Sequence, residues 1–147
     1  MAYTNLNKII QTIPLVKLVQ LVDDDKDGNP DSGILDGLIL ESDNLIDAYV
    51  GDRYVVPFGT VPDLIESFSR RLTIYKCYER KAIQEMPEGV IRMQKDVIDT
   101  LKLIANGVVK IPFANESAAP ANAGFNGKLT NKALIDPMFS DEVLGAF

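Results

Sequence analysis

Residues 32–58 constrain the fold more than any other stretch of this 147-residue chain, because a long amphipathic pattern is followed there by an abrupt stop. Asp31 or Ser32 is a suitable N-cap for a helix. Apolar side chains then recur at close to the spacing of one helix face, and these are Ile34, Leu35, Leu38, Leu45, Ile46, Tyr49 and Val50. The sequence next becomes β-favouring, and Pro57 disfavours a helical conformation at Val56. The stretch therefore predicts a packed central helix whose exit is held in place.

The flanking sequence predicts further helices of the same kind. Their expected ranges are 5–11, 15–22, 62–84 and 87–105. Pro14, Pro62 and Pro87 each stand where the first turn of a helix tolerates proline. Gly37 lies inside the central helix, where glycine costs about 1 kcal/mol relative to alanine, and this favours a close packing contact at that position. Residues 1–113 are thus expected to form an all-α domain, a small bundle of four to five helices.

The remaining sequence predicts an extended C-terminal arm. Residues 108–113 have an extended pattern, but Pro112 restricts them to an edge strand or a docked segment. Residues 114–131 are rich in Ala, Asn, Gly, Ser and Pro, which is typical of a flexible linker. An apolar cluster follows, consisting of Leu134, Ile135, Met138, Phe139, Val143, Leu144 and Phe147. Residues 114–147 are therefore expected to be a linker and docking arm, or alternatively a frayed terminus.

The composition narrows the classes of function. The chain has no histidine, so the commonest general base and most zinc sites are missing, and we expect a protein that is not an enzyme. Carboxylate pairs at helical spacing, Asp43 with Asp47 and Asp96 with Asp99, are expected on solvated helix faces. A single cysteine, Cys77, is expected in the core and fits a reducing cytoplasm or a particle assembled there. No apolar run has the length of a membrane span, and no signal peptide is recognisable.

Charge is distributed unevenly along the chain. The net charge is −6, which argues against sequence-specific nucleic-acid binding. Residues 1–52 contain three Lys/Arg and ten Asp/Glu, whereas residues 53–110 contain ten Lys/Arg and seven Asp/Glu. The helix expected over residues 62–84 has a basic face, which includes Arg70, Arg71, Arg80 and Lys81. These cations are expected to meet phosphate, the acidic half of the same chain, or the acidic half of a neighbouring copy.

The segment 23–31 has the spacing of a calcium-binding loop. Calcium loops place carboxylates at positions one, three and five, a turn glycine at six and a backbone carbonyl at seven. The corresponding residues are Asp23, Asp25, Asp27, Gly28 and Asn29, with Asp31 at position nine. Position twelve, where a bidentate glutamate closes such a site, is Ile34 instead, so any affinity is expected to be weak. The alternative is a solvated acidic turn without a cofactor.

The order of these pieces resembles a family of Mu-like phage and prophage proteins. The resemblance covers about residues 1–107 and rests on the opening MAYTNL, the loop LVDDDKDG and the stretch IDAYVGDRYVVPF. The last of these carries the expected structural residues Asp47, Tyr49, Arg53, Tyr54 and Pro57. We expect Asp47 to pair with Arg53, or with a cation of the next helix, and so to fix the exit of the central helix.

The resemblance implies a structural role in the virion. The family is grouped with head–tail connector (head-completion, adaptor) proteins, which implies an all-α protein forming a ring between portal and tail. Its implied partners are other copies of itself and the portal and tail-completion proteins, in a virion assembled in the bacterial cytoplasm. No membrane partner, cofactor or catalytic residue is implied. A small calcium-responsive helical binding module is the alternative function, and it follows from the spacing in residues 23–31.

Overall fold

Five helices build the part of the chain that the computed structural model describes, residues 1–81 and 85–112. They are α1 (Leu6–Ile10), α2 (Leu15–Val22), α3 (Ser32–Val50), α4 (Asp63–Arg80) and α5 (Glu88–Ala105), and these residues contain no β-strand. The predicted all-α bundle is confirmed. The described residues all belong to one compact unit. The predicted linker and docking arm, residues 114–147, lie outside them.

Proline precedes three of the five described helices, and a glycine follows the last of them. Pro14, Pro62 and Pro87 each immediately precede a helix, where the missing N–H costs nothing. Helix α5 ends at Ala105 with Asn106 as its C-cap, and the next residue, Gly107, has a φ of +76°, a conformation that favours glycine. Helix α1 is capped by Asn5, whose side chain accepts a hydrogen bond of 3.1 Å from the Lys8 amide.

The long helices bury two adjoining apolar clusters. The first joins the C-terminal half of α3 to α4, α5 and the connector after α3, with Ile46, Tyr54, Leu72 and Leu101 among its buried members. The second lies under α2 and joins it to the N-terminal half of α3 and to α4, with Leu18, Leu21, Ile39 and Ile74. Cys77 lies fully buried in this second cluster, as predicted, and burial raises the pKa of its thiol to about 12. A thiol with such a pKa is not a reactive nucleophile at neutral pH.

The buried face of α3 differs in part from the predicted stripe. Ile34, Leu38, Leu45 and Tyr49 are only partly buried, whereas the fully buried positions are Leu35, Ile39, Ser42, Asp43, Ile46 and Val50. The predicted solvated face for Asp43 is therefore wrong, since its side chain lies in the interior. A hydrophobicity pattern cannot anticipate a buried carboxylate, because its burial depends on donors from other parts of the chain.

The segment after α5 packs on the body as a docked extension. Ile111 is buried, and its amide donates a hydrogen bond of 3.0 Å to the hydroxyl of Tyr54. Val109 packs against the first cluster. Of the two predicted forms for this segment, the structure contains the docked one as far as Pro112.

Candidate functional site

The acidic loop between α2 and α3 folds around its own carboxylates. The two carboxylate oxygens of Asp23 accept hydrogen bonds from the amides of Lys26, at 2.6 Å, and Gly28, at 3.0 Å. Asp25 accepts from the Asp27 amide at 3.2 Å. Lys26 and Gly28 have φ values of 62° and 87°, so the chain turns tightly through both positions. The short polar side chains thus stabilise the turn locally, as Asp does in Asx turns.

Three of the predicted calcium ligands come together in this loop. One carboxylate oxygen from each of Asp23, Asp25 and Asp27 lies within 4.8 Å of the other two. Asp31, the fourth predicted carboxylate ligand, is not part of this group. Asp31 accepts a hydrogen bond of 3.0 Å from the Asp24 amide, and Asn29 donates its amide to Asp27 at 2.7 Å. The closing position contains the apolar Ile34.

The basic end of α4 is tied to the same loop. Asp24 forms ion pairs with Arg80 and with Lys81, the latter at 3.2 Å, and Arg80 also donates to the Leu21 carbonyl at 3.4 Å. Hydrogen bonds from Arg80 and then Lys81 lower the pKa of Asp24 to about 2. Of the three partners expected for Arg80 and Lys81, the structure therefore shows the acidic half of the same chain.

Other cations of this basic face also form ion pairs with acidic side chains of the same chain. Arg70 lies 3.8 Å from Glu66 and Lys76 lies 3.1 Å from Glu41. The buried Nε of Arg70 has no hydrogen-bond partner among the described residues. Arg71 is half-buried. A role for these cations in contacts between copies stays a prediction, and the arm residues expected to share that role lie outside the described residues.

The exit of α3 is fixed by contacts that differ from the predicted pair. The carboxylate of Asp47 accepts a hydrogen bond of 2.6 Å from the Tyr3 hydroxyl, and no ion pair joins it to Arg53 in the described part of the chain. The Arg53 guanidinium instead lies against Gly107, where a Cβ would come within 2.5 Å of Nη1. Among the described residues Asp47 forms no ion pair with a cation of α4 either, so both forms of the expected pair are wrong. Tyr3 reaches Asp47 instead, from a segment distant in sequence.

The other expected structural residues lie in or next to this exit. Tyr54 is buried beside Phe58, with ring centroids 6.4 Å apart, and its hydroxyl binds the Ile111 amide. Tyr49 packs against the first cluster. The peptide bond between Val56 and Pro57 is cis. The exit is thus held from two sides, by the start of the chain and by the segment after α5.

A buried polar network that the sequence did not reveal lies beside this exit. Asp43 accepts hydrogen bonds from the Tyr3 amide at 2.8 Å and from the Ser69 hydroxyl at 2.5 Å. Burial raises the pKa of Asp43, and the two donors partly offset that increase. The Tyr3 hydroxyl accepts from the Phe58 amide at 3.2 Å. The network joins the start of the chain, α3 and α4, and both of the carboxylates it contains are occupied by donors of the chain itself.

Comparison with known families identifies the chain. The profile of the family described as Bacteriophage Mu, Gp36 matches residues 3–127. The chain belongs to this Gp36 family. The match confirms the resemblance to Mu-like phage proteins and extends it beyond residue 107, into the predicted arm. No curated protein matches the chain.

The described helices do not include a membrane span. None of the helices in residues 1–81 and 85–112 is both long enough and apolar enough to cross a bilayer. Among the described residues, the polar network around Asp43 and the ion pairs of Asp24 join elements of the same chain.

Proposed function

We propose that this chain is a structural head–tail connector (adaptor) of a tailed phage or prophage, which forms a ring between portal and tail and has no catalytic activity. The observation that carries the proposal is the match of residues 3–127 to the Gp36 family of bacteriophage Mu. The five-helix body supports it, since the polar networks of the described residues join structural elements to one another. The protein would then be a virion component, assembled in the bacterial cytoplasm with portal and tail-completion proteins.

The charge distribution supports the same proposal. Residues 1–52 carry an excess of seven acidic groups and residues 53–110 an excess of three basic groups. Surfaces of opposite charge on one chain favour head-to-tail association, which closes into a ring when the rotation allows. A net acidic wall would also repel the phosphates of DNA that passes through the ring.

Light scattering tests the ring directly. The mass of the full chain is measured over a range of protein concentrations, alone and mixed with the portal protein of the same phage. We expect a species several times the monomer mass, at least in the presence of the portal. A mass that stays at the monomer value at every concentration and in the presence of the portal protein would contradict the proposal.

The C-terminal arm is proposed to dock on a neighbouring subunit, the portal or a tail protein. Its linker composition and terminal apolar cluster support this role. A chain truncated after Pro112 retains both buried clusters, so we expect it to keep the helical circular dichroism of the full chain while its assembly weakens. Unchanged assembly of the truncated chain would remove this role for the arm.

A calcium-responsive binding module is the second candidate function. The convergence of oxygens from Asp23, Asp25 and Asp27 within 4.8 Å of one another favours it. Calorimetry with calcium chloride compares the natural chain with Asp25→Ala and with the control Asp52→Ala, which removes an exposed acid outside the loop. Heat that disappears only in Asp25→Ala supports the module, whereas no heat and an unchanged melting temperature would exclude it.

A further inference from the structure

A hollow of about 230 Å³ lies between the start of the chain and α3. Its rim includes the side chains of Met1, Leu6 and Leu40, whose exposed fractions are 78%, 38% and 59%. Asp36 is an exposed acid in the lining, and the buried Asp43 also borders the hollow. This α3 hollow therefore combines an apolar rim with negative charge.

The described residues leave the neighbourhood of this hollow open. A Cβ built on Gly37, one turn before Leu40 on α3, meets nothing within 4 Å. The close packing contact that the sequence predicts at Gly37 is thus absent from the described part of the chain. Because a glycine inside a helix costs about 1 kcal/mol relative to alanine, its presence here suits a close approach by another molecule.

The chemistry of the α3 hollow indicates its occupant. A lysine side chain can place its methylene stem along an apolar rim while its ammonium group meets a carboxylate. The acidic surplus of residues 1–52 favours a partner surface of positive charge. The second half of this same chain has that sign.

Helix α5 presents a matching projection. Ile91 is 47% exposed, and Lys95, one turn later, is exposed and forms no ion pair with the described residues. By contrast, the neighbouring Arg92 is paired with Glu88 at 3.2 Å. Ile91 and Lys95, here named the α5 knob, therefore offer one apolar and one cationic group on the same side of the helix.

We propose that the α3 hollow of one copy receives the α5 knob of the next copy, with the Lys95 ammonium beside Asp36 and its stem against Leu6 and Leu40. The two surfaces lie on different elements, so each copy has one hollow and one knob to offer. Such a contact is heterologous and continues from copy to copy until it closes. This inference rests on the proposed ring and identifies its contact surfaces.

Charge reversal on the full chain tests the contact. Asp36→Lys and Lys95→Glu each set like charges against each other, so we expect each to weaken self-association about tenfold or more. The double variant Asp36→Lys/Lys95→Glu restores opposite charges and is expected to assemble like the natural chain. In an equimolar mixture of the two single variants, both contacts between unlike copies set opposite charges together and both contacts between like copies are repulsive. We therefore expect the mixture to recover larger species in which the two variants alternate.

Asp52→Lys is the matched control, because it makes the same change of charge at an exposed residue outside the hollow. Light scattering gives the mass of each variant and circular dichroism its folding. If the natural chain assembles and Asp36→Lys assembles equally well, the hollow–knob contact is refuted while the ring stands. If the natural chain stays monomeric both alone and with the portal, the ring and this contact fail together.

Discussion

The hydroxyl of Tyr3 donates a hydrogen bond of 2.6 Å to the carboxylate of Asp47. Forty-four positions separate the two residues, so this contact closes the start of the chain onto the C-terminal half of α3. The same hydroxyl accepts from the Phe58 amide at 3.2 Å, and the Tyr3 ring lies 5.6 Å from that of Phe58. One side chain thus connects the chain start, the central helix and the connector that follows it.

Tyr3→Phe is expected to destabilise the fold measurably. The variant leaves the buried Phe58 amide without its acceptor, and an unsatisfied buried donor costs about 1–3 kcal/mol. Urea unfolding followed by circular dichroism measures the change. Tyr49→Phe is the control, because the described residues show no hydrogen bond to the Tyr49 hydroxyl and little change is expected. Equal effects of the two substitutions would show that the Tyr3 hydroxyl has no special role.

Asp43 is expected to make stability depend on pH. Burial raises its folded pKa above the ordinary 3.8, so the folded state holds the proton more tightly than the unfolded state does. The resulting stabilisation is fully present below pH 3.8 and is lost as pH rises through the folded pKa. We therefore expect the free energy of unfolding of the natural chain, relative to Asp43→Asn, to fall over that window. Urea titrations at successive pH values measure it, and parallel curves for the two chains would contradict the assignment.

Arg80→Ala is expected to loosen the acidic loop without unfolding the bundle. The variant removes the main partner of Asp24, whose pKa of about 2 means that this stabilisation is lost as pH falls from 3.8 towards 2. Amide exchange at Lys26 and Gly28, followed by NMR, should accelerate while the melting temperature changes little, because the pair is largely exposed. Arg92→Ala, which breaks a pair within α5, serves as the control and should leave the loop unchanged.

Gly107→Ala is expected to destabilise the turn after α5 by about 1–2 kcal/mol, the cost of placing a Cβ in the left-handed conformation. The new Cβ would also displace the Arg53 guanidinium, so Gly107→Ala should cost less when Arg53→Ala is already present. Gly28→Ala separates the two effects, since its φ is also positive but open space surrounds the position. Thermal unfolding of the natural chain, Gly107→Ala, Arg53→Ala and the double variant gives the coupling free energy between the two positions. A cost for Gly107→Ala that does not depend on Arg53 would leave strain as its only source.

The predicted helices were largely recoverable because their signals are local. Proline immediately before α2, α4 and α5 and the glycine after α5 act within one turn of the chain. The end of α4 was predicted less well, because the pattern extends to residue 84 whereas the helix ends at Arg80. At this end of the helix, Arg80 and Lys81 donate hydrogen bonds to Asp24, which lies more than fifty positions earlier in the sequence.

The candidate site was recoverable only in part for the same reason. The spacing of Asp23, Asp25 and Asp27 predicted that their carboxylates would converge, because those positions share one tight turn. It did not predict that Asp31 would be used to hold the Asp24 amide. The buried Asp43 left no sequence signal, since its donors come from Tyr3 and Ser69.

The sequence by itself determined the helices, their order and the turn-forming acidic loop, since hydrophobic periodicity, caps and breakers act over a few residues. The family was also accessible from the sequence, because the order and spacing of short motifs are properties of the chain. Only the tertiary structure decided which polar groups meet, such as Tyr3 with Asp47 and Asp24 with Arg80. Hydrogen bonds and ion pairs depend on distances of about 3 Å, and positions far apart in sequence reach such distances only when the helices have packed.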